Sequence, residues 1–208
     1  ANRKKIILIF DECTSGFRQT FGGLHKFYKI EPDIAIFGKA LGNGYAINAV
    51  IGKKKIMKYA QSSFISSTFW TERIGPTAAL KTLEVMEKNK SWKIITSKGK
   101  KVVNNWKKLA NKYNFEILCT GLPALAKFEI KSRNSHKYKT LITQEFLKEK
   151  ILASDTIYFS IKHSDKIIQN YFEILEQIFK KIEECENGRN INDFLKSKLS
   201  HIPFQRIN

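Results

Sequence analysis

A short apolar run that ends in an acid, followed about twenty-five residues later by a second run that ends in a lysine, constrains this chain more than any other feature. Ile6-Ile7-Leu8-Ile9-Phe10 is β-branched and aromatic throughout and too short for a typical helix, and it stops at Asp11-Glu12. Such a run reads as a strand buried on both faces of a parallel sheet. Asp33-Ile34-Ala35-Ile36-Phe37-Gly38-Lys39 repeats the arrangement with Lys39 at its exit. In open α/β sheets ligands collect at the carboxyl ends of strands, so adjacent strand ends carrying an acid and an amine form a candidate site. Taken alone, acids and lysines at strand ends are more often solvated loop charges, so the surrounding residues must decide.

Those residues are Asp11-Glu12-Cys13-Thr14-Ser15-Gly16-Phe17-Arg18, then Pro32-Asp33, then Phe37-Gly38-Lys39-Ala40-Leu41-Gly42-Asn43-Gly44-Tyr45. Together they closely resemble the active-site core of class III aminotransferases, and within that family the branch related to glutamate-1-semialdehyde aminomutase. The resemblance implies a fold type I enzyme dependent on pyridoxal 5'-phosphate. It implies a Schiff base between Lys39 and the cofactor aldehyde, with Lys39 acting afterwards as the base that moves a proton between substrate and cofactor carbons. Asp11 would pair with the protonated pyridine nitrogen and keep the ring an electron sink. Cys13 falls where the family usually packs valine against the ring face, a space that a small thiol can fill. Thr14 replaces the glutamine that many members aim at the ring hydroxyl, a departure that favours the aminomutase-like branch. Glu12 and Arg18 match the motif as residues of local structure.

The hydroxyl-rich stretch from Ser62 to Thr77 leads into a helix. Such stretches usually cap helices, although free amides and hydroxyls there can also bind an anion. In register with the family, Thr68 matches the threonine that reaches the cofactor phosphate of the neighbouring subunit, which implies a homodimer. Trp70, Glu72 and Arg73 then stand where substrate or subunit contacts could lie. The resemblance covers only the second half of such enzymes, so the chain is expected to be a C-terminal half that could be inactive alone.

Bulk properties agree with a soluble enzyme. The 208 residues are 42% hydrophobic, enough for a real core, and no apolar run approaches a membrane-spanning length. Three cysteines, Cys13, Cys119 and Cys185, lack metal-ligand spacing and suit a reducing compartment, so no metal is expected and the cytoplasm is. A net charge of +18 raises nucleic-acid binding. The positive residues are mostly lysines spread along the chain without aromatic interleaving, so a solvated surface is the favoured reading. A non-catalytic basic nucleic-acid-binding protein remains the alternative from another class.

The organisation expected is α/β: part of a large cofactor-binding domain over residues 1–113, with a mixed sheet and helices, then a small α+β domain over residues 114–208. The first contains strands at 6–10, 33–39 and 49–52, a short helix at 53–60, a helix with Pro76 in its first turn, and an amphipathic helix from Trp92 towards Tyr113. The second contains strands at 115–118 and 126–130 around Gly121-Leu122-Pro123, a helix at 143–150, a strand at 157–161, and a long helix capped by Asp165 and ended at Asn187-Gly188. His25 reads as a loop histidine. His163 stands near the active-site mouth by resemblance and is otherwise a capping residue. Arg206 is of a type that could clamp a carboxylate. The expected substrates are a small amine donor and a carbonyl acceptor, with intramolecular amino transfer, as in the aminomutases, the alternative within enzymes.

Overall fold

In the computed structural model, residues 1–69 and 72–200 are described, and the expectations for Trp70 and Arg206 lie outside them. Contacts group the chain into two compact units, Ala1–Thr96 and Ser97–Asn208.

The first unit is built on a three-stranded sheet of β1 (Ile9–Asp11), β2 (Ile34–Phe37) and β3 (Ala49–Gly52), in that order. β1 and β2 are parallel, with Ile9 opposite Ile34 and Asp11 opposite Ile36. β2 and β3 are antiparallel, with Phe37 opposite Ala49. The short α1 (Lys54–Met57) and a 3-10 turn (Lys58–Ser62) follow β3, and α2 (Ile74–Asn89) packs on the sheet. Ala35, Phe37, Leu41 and Ala79 form the core here, with Phe17, Ile47, Ala49 and Leu83 against it. A long helix, α3 (Ser91–Lys112), begins in this unit and continues into the second.

The expectations for the first strand are corrected in this unit. The first strand is shorter than Ile6–Phe10 and is not buried on both faces: Ile6, Ile7 and Ile9 are 61%, 52% and 53% exposed. The cause is position, because β1 is an edge strand paired only with β2, and among the described residues its apolar side chains gain no full covering layer. α2 starts at Ile74, which keeps Pro76 in its first turn as expected; along it Leu80 is 71% exposed, while Ala79 is buried and Leu83 packs inward.

The second unit carries the antiparallel sheet β4 (Ile117–Thr120), β5 (Leu125–Ile130), β6 (Thr156–Tyr158), together with α4 (Ser135–Lys148) and α5 (Asp165–Glu186). Its core is aromatic and aliphatic in mixture, with Val102, Trp106, Phe128, Tyr138, Phe146 and Phe179 fully buried. The indole N–H of Trp106 donates to the Tyr171 hydroxyl at 3.0 Å, so neither buried polar atom is left unmet. Tyr171 in turn stacks on Phe146 with centroids 4.9 Å apart. Gly99 on α3 lets that helix approach the 122–124 turn, since a Cβ at this position would lie 1.8 Å from the Pro123 carbonyl oxygen.

α4 begins eight residues earlier than the sequence suggests. The stretch from Ser135 to Thr140 is polar and poor in helix formers, yet Tyr138, Thr140 and Leu141 are buried by packing, which overrides propensity. The Thr140 and Thr143 hydroxyls donate to the carbonyls of His136 and Lys139 at 3.2 and 3.1 Å, as threonines inside helices do. α5 is capped by Ser164 rather than Asp165: Ser164 is extended and its hydroxyl accepts from the Ile167 amide. His163 also belongs to this cap, its Nδ1 accepting from the Ser160 amide at 3.2 Å. Burial, helped by the charge of Lys98, pushes its imidazole pKa below the usual value.

Glu145 on α4 is a buried carboxylate of this unit. Lys148 and Lys181 both pair with its carboxylate, Lys181 at 2.6 Å, and Gln144 donates to it at 2.8 Å. Burial alone would raise its pKa, but these partners outweigh burial and bring it down to about 2 from an ordinary 4.5. A folded-state pKa below the unfolded one contributes stability that is present above pH 4.5 and is lost as pH falls towards 2. Glu145→Gln is therefore expected to lower the unfolding free energy by about 1–3 kcal/mol near neutral pH. Denaturant unfolding should show the gap from wild type closing between pH 4.5 and pH 2, and an unchanged gap would contradict the pairing.

Candidate active site

Parallel pairing of β1 with β2 brings the acid and the amine to the same end of the sheet. Asp11 is the last residue of β1 and lies opposite Ile36, and Lys39 follows two residues after the end of β2. Both side chains are exposed. The Asp11 carboxylate accepts from the Cys13 amide at 3.0 Å. That backbone bond, then the Cys13 thiol, and last the charge of Lys39 hold the carboxyl below the usual range against a small opposing effect of burial. Asp11 is thus held as a carboxylate facing a cation.

Lys39 has a left-handed backbone, φ 40°, which costs a non-glycine residue about 1–3 kcal/mol. Its ammonium donates to the Thr14 hydroxyl at 2.5 Å. Gly38, immediately before it, is buried, and a Cβ there would lie 2.4 Å from the Asn48 side-chain oxygen and 3.4 Å from the Cys13 sulfur. Antiparallel pairing of β2 with β3 is what delivers Asn48, one residue before β3, to this spot. Cys13 is half-buried, and burial first, then the carboxylate of Asp11, pushes its thiol pKa up, with Lys39 opposing.

The loop between the strands is held by Glu12. Its carboxylate is buried and accepts from the Ser15 hydroxyl, from the His25 amide at 2.9 Å and from His25 Nδ1 at 3.1 Å. Burial opposes ionisation, but the bonds from Ser15 and from the amides of Leu24 and His25 outweigh it and lower the pKa. His25 is accordingly a loop clamp.

The structure therefore brings Asp11, Cys13, Thr14 and Lys39 together. Thr68 lies in an exposed segment, residues 61–69, and among the described residues no hydrogen bond joins it to Asp11 or Lys39. Glu72 is half-buried, and Arg73 is exposed at the start of α2. Asn48 went unread in the sequence because only the β2–β3 register places it beside Gly38.

An acid and an amine on neighbouring strand ends, preceded by an obligatory glycine, is the arrangement the motif required. The model of the family described as aminotransferase class-III matches residues 1–200. The chain belongs to the class III aminotransferases. Among curated relatives it is similar to a 3-aminobutyryl-CoA aminotransferase of Cloacimonas acidaminovorans, at 37% identity over 70% of this chain and 36% of that protein. It is similar as well to the glutamate-1-semialdehyde 2,1-aminomutase of Methanocaldococcus jannaschii, at 26% identity over 86% of this chain and 46% of that protein. The chain spans less than half the length of these relatives. Its fold matches the solved FumI protein of Sphingopyxis sp. MTA144 in its pyridoxal-phosphate internal aldimine form. The TM-score is 0.82 at 18% identity, covering 92% of this chain and 47% of that one. An omega-transaminase from Sphaerobacter thermophilus matches with a TM-score of 0.73 at 17% identity, over 90% and 46% of the two chains. The fold is that of the fold type I pyridoxal-phosphate transferases.

The close approach at Gly38 is testable by itself. Gly38→Ala is expected to lower stability by about 1–3 kcal/mol through overpacking against Asn48. Adding Asn48→Ala should recover most of that loss in thermal unfolding, and additive losses in the double variant would contradict the contact.

Proposed function

We propose that the protein catalyses amino transfer between a small amine donor and a carbonyl acceptor, using pyridoxal 5'-phosphate bound through Lys39. The observation that carries this reading is the juxtaposition of an ionised Asp11 with the Lys39 amine at the ends of two parallel strands. The residues present fit that cofactor, which needs a carboxylate for its ring nitrogen, an amine for its aldehyde and room beside the amine. The cofactor supplies an electron sink for the charge left when a carbon–hydrogen bond is broken. Asp11 would accept the hydrogen bond of the ring N–H, and Cys13 beside it would pack against the ring. Lys39 Nζ would hold the cofactor aldehyde and, when free, would take and return the proton. Residues 1–113 then serve as part of the cofactor domain and residues 114–208 as the small domain.

The same reading makes the protein a homodimer in which Thr68 reaches the cofactor phosphate of the neighbouring subunit. What supports this is exposure: Phe64 is 97% exposed, with Ile65 and Phe69 at 54% and 56%, a patch that a second copy would cover. Among the described residues no helix is long and apolar enough to cross a membrane, and the three cysteines are free thiols. The cytoplasm is the proposed location.

Intramolecular amino transfer is the second reading. It is favoured by threonine at position 14, where many class III aminotransferases carry glutamine, and by the similarity to glutamate-1-semialdehyde aminomutases. The two differ in bookkeeping: a mutase converts one amino-carbonyl compound without a separate donor, whereas a transaminase needs two substrates.

In the full-length protein, pyridoxal phosphate is expected to give a visible absorption band whose borohydride-reduced adduct maps to Lys39. Lys39→Ala should abolish the band, and Lys54→Ala should leave it. Asp11→Ala is expected to cut turnover on the order of 100-fold or more. A screen of amine donors, 3-aminobutyryl-CoA among them, then separates two-substrate from one-substrate chemistry. Failure of Lys39 to form the adduct would overturn the proposal.

The shared site has its own test. Lys39→Ala and Thr68→Ala proteins, each impaired alone, should regain activity when refolded together, because a mixed dimer contains one site with both residues intact. No recovery in mixed dimers would place Thr68 outside the partner's site.

A further inference from the structure

The turn after β1 holds a hydroxyl where the lysine needs an anchor. Lys39 is exposed, on a flexible four-carbon chain, and an unheld lysine of this kind samples many rotamers. Here its Nζ donates to Thr14 Oγ1 at 2.5 Å. Thr14 is itself fixed from both sides. The Cys13 amide donates to the Asp11 carboxylate at 3.0 Å, and the Gly16 amide donates to the Glu12 carbonyl at 2.8 Å. The Ser15 hydroxyl donates to the buried Glu12 carboxylate, which His25 also clamps. On the other strand, Lys39 leaves β2 with a left-handed backbone that turns it away from the extended path.

We propose that Thr14 is a positioning residue for Lys39: its hydroxyl, presented by a locked turn, holds the amine on the Asp11 side of the strand ends. The proposal rests on the reading of Lys39 as the cofactor-binding amine. In that setting Thr14 acts before the cofactor arrives, by keeping the amine where the aldehyde enters, and it acts whenever Lys39 is released. A β-branched side chain suits the task, because threonine has few χ1 states and so presents its hydroxyl in few directions. The methyl group of Val at this position would keep the shape and remove the acceptor.

The test uses the full-length protein freed of cofactor. Limiting acetic anhydride labels its lysines, and peptide mass spectrometry reads the rate at Lys39 against Lys54 as internal reference. Loss of one ordinary hydrogen bond is expected to change the held population about fivefold. Thr14→Val should therefore raise the Lys39:Lys54 labelling ratio about fivefold and slow the capture of added pyridoxal phosphate, followed by its visible band. Thr14→Ser should restore both to near wild type, and Thr14→Ala gives a second hydroxyl-free variant if valine disturbs folding. A labelling ratio unchanged in the valine and alanine variants, or a serine variant that behaves like them, would overturn the proposal. Normal labelling differences without any Lys39 adduct in the wild type would instead refute the cofactor reading and leave the Thr14–Lys39 bond standing.

Discussion

Pairing of β1 with β2 is anchored at both ends by hydrogen bonds. At the start, the buried Asp33 accepts from the Leu8 amide at 2.9 Å through its carboxylate, while the Asp33 and Ile34 amides donate to the Leu8 carbonyl at 2.8 and 3.1 Å. Lys53 completes the arrangement with an ion pair to Asp33 at 2.9 Å, and these donors hold its carboxyl below the usual range. At the far end the Glu12 amide donates to the Ile36 carbonyl at 2.8 Å. With a side-chain period of two, a one-residue slip would turn every β1 side chain to the opposite face and move Asp11 away from Lys39. The register thus decides whether the acid and the amine meet.

The same residues show how one motif divides its work. Of the adjacent acids, Asp11 is exposed at the strand end and faces a lysine, whereas Glu12 points into the loop and is consumed by Ser15 and His25. Alternation along an extended backbone sends neighbours to opposite sides, so an Asp-Glu pair here yields one carboxylate exposed at the strand end and one for the scaffold. Glu145 in the second unit is a scaffold carboxylate of a different kind, buried and neutralised by two lysines. The first unit leaves apolar side chains of β1, β3 and the segment before α2 in solvent.

Legibility followed the range of the interaction. β3 spans the residues that its apolar run marks, and β2, α3 and the end of α5 fall within a few residues of where periodicity and Asn187-Gly188 put them, because those signals are local. The start of α4 was hidden by a polar stretch that becomes helical only because Tyr138 and Leu141 are buried against other elements. β1 was misjudged in burial since an apolar run reports what a strand can bury, not what lies over it.

At the site, the residue types and order of Asp11, Cys13, Thr14 and Lys39 were legible in the linear sequence, because strand-end chemistry and a glycine before the lysine are written there. So was the family, since its motif is contiguous in two short stretches. Tertiary structure alone decided that Thr14 meets the Lys39 amine, that Asn48 closes over Gly38, and that Glu12 ties the loop to His25. Each of these contacts joins residues ten or more positions apart. Their geometry comes from strand register and loop closure, which no local propensity encodes.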